Sequence, residues 1–142
     1  MKKTILALSV LGLVFASCKK DKQDQSITPT KENLTGTYKI TAMTVGSNGV
    51  SMDVFSQQDA CSKDDIYHLN ADNSYAIEDA GIVCSPDDNY SGGTWALENS
   101  STINVDGEVG TIKSWNGKTL VVEITDSSSG TTATYSTTYV KQ

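Results

Sequence analysis

The sequence predicts an all-β fold, an eight-stranded antiparallel up-and-down barrel. Three observations predict it. From Leu34 onward apolar and polar residues alternate with period two, as strands with one buried face require. The alternating runs are punctuated by turn chemistry, including Asp106-Gly107 and Asn116-Gly117, whose residues accept the positive φ of tight hairpins. Most links are short, so chain neighbours pair as antiparallel hairpins, and about eight such strands with no long helical stretch suit a closed meander. A two-sheet sandwich with Greek-key crossings is the rival arrangement.

Two segments precede the strands. Lys2 and Lys3 form a positive start, and Thr4 to Phe15 is an apolar run. Crossing a bilayer takes about 20 apolar residues, so this run fits a signal-peptide core better than a membrane span. Small Ala16 and Ser17 follow, then Cys18 and Lys19-Lys20-Asp21. This border resembles a bacterial lipoprotein signal, with Phe15 where Leu is usual. The resemblance implies removal of residues 1–17, acylation of Cys18 and attachment to the membrane through that anchor. Lysine after the cysteine is associated with outer-membrane sorting, and the Lys19-Lys20-Asp21 run resembles a signal for exposure on the cell surface. Ordinary secretion, with Cys18 a loose thiol, is the alternative. Residues 18–33 are polar, contain Pro29 and lack apolar periodicity, so they read as a flexible tether. The remainder, residues 34–142, is the barrel domain.

The strands follow in order. Thr37 to Ala42 alternates, as do Tyr67 to Leu69, Tyr75 to Glu78, Gly93 to Glu98, Thr102 to Val105, Val109 to Trp115, Leu120 to Thr125 and Thr132 to Val140. The turns between them are Asp72-Asn73, Asn99 to Ser101, Asp106-Gly107, Asn116-Gly117 and Ser127 to Gly130. Two links are longer. Residues 52–60 carry Met52, Phe55 and Ala60 among polar residues and read as a short helix at a barrel end. Ala80 to Gly92 reads as a loop. The alternation sends Tyr38, Ile40, Tyr67, Leu69, Tyr75, Ile77, Trp95, Leu97, Ile103, Val105, Ile112, Leu120, Val122, Ile124, Tyr135 and Tyr139 inward. An interior of this size is either filled by side chains or holds one small ligand.

Charge excludes one class of partner. Removing residues 1–17 takes away two lysines and no acid, moving the formal charge from −6 to −8. All 11 basic residues are lysines. An acidic chain without arginine has no basic footprint for nucleic acid. Solubility at a crowded surface explains the acidity.

Cys61 and Cys84 form an even pair in an oxidising compartment. The hairpin between them returns the chain near its start, so they read as a disulfide. A zinc site needs about four closely spaced ligands, and His68 alone does not complete one. A Cys–His nucleophile is the other alternative, but a paired cysteine has no thiolate.

The order of motifs from Leu34 on resembles the bacterial lipocalin-like lipoprotein family. It comprises Leu34-Thr35-Gly36-Thr37-Tyr38, Cys61-Ser62-Lys63-Asp64, Asp72-Asn73, Cys84, Gly93-Thr94-Trp95 and Leu120-Val121-Val122. Two features depart from lipocalins proper: Tyr38 replaces the first-strand Trp, and the Arg near the last strand is missing. The resemblance implies a lipocalin-like barrel and binding of a small apolar molecule at its mouth.

Three functions follow from these readings. The first is a binding module for a small hydrophobic ligand, with Tyr38, Tyr67, Trp95 and Tyr135 as wall residues, since aromatics combine contact area with polar handles. For each of them plain core packing is the alternative. The second is an accessory module with a filled barrel, whose loops near Pro86 to Gly93 and Asp126 to Thr132 dock a protein or glycan. The third is a calcium-stabilised domain using the acid pairs Asp64-Asp65, Glu78-Asp79 and Asp87-Asp88. Solvated surface charge explains those pairs better, because adjacent strand residues face opposite ways. No nucleophile elbow or phosphate loop is present, so no enzyme is expected. No cofactor is expected either, and the chain is read as a monomer.

Overall fold

The computed structural model describes residues 26–85, 88–128 and 130–142. The segment expected to be a lipoprotein signal, Cys18 and most of the segment read as a tether lie outside the described residues, as does Asp87 of one acid pair. Among the described residues nine strands form a single sheet: β1 (Gly36–Ser47), β2 (Val50–Asp53), β3 (Ile66–Leu69), β4 (Ser74–Glu78), β5 (Tyr90–Asn99), β6 (Thr102–Val105), β7 (Glu108–Trp115), β8 (Thr119–Asp126) and β9 (Ala133–Lys141). Every consecutive pair from β3 to β9 is an antiparallel hairpin. β9 returns to pair with β1, from Tyr38↔Lys141 to Gly46↔Thr134, and closes an eight-stranded barrel. The closing pair rules out the two-sheet sandwich.

β2 stands outside the ring. One edge of β1 serves two partners, β3 along Gly36 to Tyr38 and β2 along Thr44 to Ser47. The β1–β2 turn is Asn48-Gly49, with φ of 51° and 78°, an Asn-Gly turn with both central residues at positive φ. Residues 50–53 are therefore strand, and the helix in this connection, α2 (Ala60–Lys63), begins where the expected 52–60 helix was to end.

The inward set is the one the alternation requires, with a shift of phase in β7 and one exception: Tyr135, expected inside, is 41 % exposed, because it stands near the start of β9, at the end of the barrel away from Tyr38 and Lys141. Gly110 and Ile112 face inward, and Lys113 is the extra residue of a β-bulge, because Ile112 pairs with Val122 while Ser114 pairs with Val121. The bulge returns Trp115 to the interior, where it is 1 % exposed. Trp95 is buried as well, and Leu97 packs against the core.

One end of the barrel is sealed. Helix α1 (Lys31–Leu34) is held by a capping box between Thr30 and Asn33. It drives Leu34 into the core with no exposed surface. The Tyr38 hydroxyl donates to the Leu34 carbonyl (2.5 Å), and the Ile27 N–H donates to the Trp115 carbonyl (2.7 Å). The end of the segment read as tether is thus bonded to the barrel. Lys141 Nζ donates to the Asn33 carbonyl (2.9 Å) and lies 5.9 Å from the ring centroids of both Tyr38 and Trp115. In a chain without arginine, this lysine supplies a cation on the last strand.

Candidate functional site

Above this floor the barrel encloses an apolar cavity of about 90 Å³. Register explains its wall. Tyr38 of β1 pairs with Tyr67 of β3, and Leu69 of β3 pairs with Tyr75 of β4. On the far side Leu120 of β8 pairs with Tyr139 of β9. Paired residues share a face, so four tyrosines and the aliphatic row Leu120, Val122 and Ile124 converge on one space. Ile103, Val105 and Gly110 complete the apolar wall. Tyr67 and Tyr139 meet edge to face, with ring centroids 5.8 Å apart.

Burial pushes the Tyr67 hydroxyl up to about 12, with small further contributions from Tyr139 and Asp65. Tyr38, Tyr75 and Tyr139 are also raised above the ordinary tyrosine value, chiefly by burial. At neutral pH the wall therefore presents uncharged phenols, which offer ring faces without the desolvation cost of an ion.

One acid interrupts this wall. Glu108 opens β7 opposite Val105, so it shares the inward face. It is exposed and lines the cavity, which places it where the space meets solvent. Asp106 stands in the same hairpin, accepting a 2.6 Å bond from the Thr94 N–H.

Of the residues expected to contact a ligand, Tyr38 and Tyr67 are on the cavity wall. Trp95 is buried outside it, and its Nε1 donates to the Asn70 carbonyl (2.8 Å). Tyr135 pairs with Ile124 but is 41 % exposed and is not part of the wall. Tyr75, Tyr139 and Glu108 are wall residues that the sequence reading did not select. Alternation already sent both tyrosines inward. Glu108 carried the same signal, since counting back in twos from Ile112 gives positions 110 and 108.

A second cluster lies beside the barrel. Cys61 and Cys84 form a disulfide, with Cα atoms 5.2 Å apart. It fastens the loop after β4 to helix α2. Asp64 Oδ2 accepts from the Ile82 N–H (2.8 Å), and Asp79 Oδ2 accepts from the Cys84 N–H (3.1 Å). Burial raises the Asp65 carboxyl, and its neighbours Asp79, Asp64 and Asp88 raise it further. Asp64 and Asp79 thus hold loop backbone. Among the described residues, no three His, Cys, Asp or Glu side chains are arranged to hold a metal ion. His68 Nε2 lies 3.1 Å from Glu78 Oε2 on the outer surface.

A family model described as a lipocalin-like domain matches residues 34–131, from the core residue Leu34 to the loop before β9. No curated protein and no solved structure matches the chain. With the closed barrel, the plugged floor and a match over more than half its length, the chain belongs to the lipocalin-like domain family.

Proposed function

We propose that this protein is a lipid-anchored component of the cell envelope that binds a small hydrophobic ligand inside its barrel. One observation carries the ligand reading: an apolar, tyrosine-lined cavity opens to solvent at Glu108. At about 90 Å³ it is smaller than the ~150 Å³ apolar cavity known to hold benzene. It is also well below the ~300–1,000 Å³ of pockets for drug-sized molecules. The ligand class is accordingly a single ring or a short alkyl branch whose remainder lies in the open mouth.

NMR titration of the folded protein with benzyl alcohol tests this reading. Saturable shifts confined to Tyr67, Tyr75, Tyr139 and Gly110 are expected. A folded protein in which no cavity resonance moves refutes it.

The anchor is supported by the sequence around Cys18, and outer-membrane residence, with display at the cell surface, by the lysines that follow. Metabolic labelling with a radioactive fatty acid is expected to tag the natural chain and to fail for Cys18→Ala. A second reading, docking of a partner through the loops, draws on the exposed Ile82 and Val83 in the disulfide-held loop. It becomes the better account if the titration fails.

A further inference from the structure

We infer that the cavity selects neutral or cationic apolar ligands and rejects carboxylates. This rests on the ligand-binding reading above and adds the charge class of the ligand.

The argument begins with sign. Among the described residues Glu108 is the charged one lining the cavity, and no described lysine or histidine lines it. Its place is fixed by register: Val105 pairs with Glu108 and Ile103 with Gly110, so the carboxylate rises from the same face as the apolar wall. It stands at the mouth, where the polar end of a ligand with a buried ring must lie. Asp106, in the same turn, does not line the cavity; its carboxylate is held by the Thr94 N–H. Lys141, which touches the wall residue Tyr38, is turned to the floor. It is bonded to the Asn33 carbonyl and covered by the rings of Tyr38 and Trp115.

A carboxylate entering this mouth sheds hydration, meets no positive partner and faces a like charge at short range. An ammonium group meets the opposite situation. It pairs with Glu108, and the tyrosine faces behind it carry the negative quadrupole that attracts cations. A hydroxyl is indifferent to the sign of the mouth. The acidic surface of the chain, −6 overall, extends the same preference to the approach of the ligand.

Three probes with one ring and different heads test this: benzylamine, benzyl alcohol and phenylacetate. Each is titrated at pH 7 into the isotope-labelled full chain and followed at Tyr67, Tyr139 and Gly110. Benzylamine is expected to bind roughly tenfold or more tighter than phenylacetate, with the alcohol between them. In Glu108→Gln the preference for the amine over the acid shrinks, each affinity being read as a ratio to that of the alcohol in the same variant. Phenylacetate binding as tightly as benzylamine overturns the charge selection while leaving the ligand reading intact. An amine preference undiminished in Glu108→Gln overturns the role of Glu108. If none of the three moves a cavity resonance, the ligand reading falls and the inference falls with it.

Discussion

Gly110 keeps the cavity open. A Cβ at this position would lie 2.5 Å from Val122 Cγ1 and 3.6 Å from Ile103 Cγ2. Valine is stiff about χ1, so Val122 cannot swing aside cheaply. Gly110→Ala is expected to lower the unfolding free energy by about 1–3 kcal/mol through overpacking. It should also weaken binding of benzyl alcohol, and urea denaturation with NMR titration reads both. An alanine variant as stable as the parent, with unchanged binding, contradicts this packing. Gly93 plays a related part, since a Cβ there would lie 2.6 Å from the Asp106 carboxylate and 2.8 Å from the Tyr75 ring. Tyr38 works at the floor. Its hydroxyl is the donor to the buried Leu34 carbonyl, and Tyr38→Phe leaves that acceptor without it. The expected loss is about 1–3 kcal/mol in the same urea experiment, with the barrel intact.

The disulfide couples the loop after β4 to α2 and lies outside the ring of paired strands. Its two cysteines are 23 residues apart. Closing a loop of that length contributes about 3 kcal/mol by restricting the unfolded chain. Reduction, or Cys61→Ser with Cys84→Ser, is therefore expected to lower the melting temperature by roughly 10–20 °C. Ligand titration should be little changed, because β1 still closes on β9. Loss of the cavity signals on reduction would mean the loop shapes the wall. The sequence made much of this architecture legible. Alternation placed every ring strand, because each has one wet and one dry face. It placed the disulfide through the hairpin that separates its halves. β2 escaped because its residues are all exposed and carry no alternation, although Asn48-Gly49 announced the turn before it. Trp115 escaped because the bulge at Lys113 breaks the period that would have found it. Leu34 escaped because it comes from a four-residue helix whose burial depends on contacts distant in sequence. The cavity itself was legible only as a face. Which inward residues leave space between them depends on side-chain packing, and a period of two says nothing about volume.

The whole barrel answers to alkaline pH through its tyrosines. Four of the six line the cavity, and burial raises all four above their ordinary value near 10. A folded-state value above the unfolded one means the folded chain keeps protons that the unfolded chain has released. Stability therefore falls with rising pH in that window. The stabilisation from these groups is complete below pH 10, where both states are protonated. It is lost progressively as pH rises from 10 toward and past the Tyr67 value of about 12. Melting temperature measured from pH 8 to 12 should fall along that upper range, as far as these tyrosines set it. Phenolate absorbance from the wall should appear in one cooperative step together with loss of the folded spectrum. Ionisation of all four wall tyrosines near pH 10 in a barrel that stays folded would mean that water already fills the interior. A hydrated interior of that kind offers no dry surface for an apolar ring, so this titration, done without any ligand, tests the binding site as directly as the probes do.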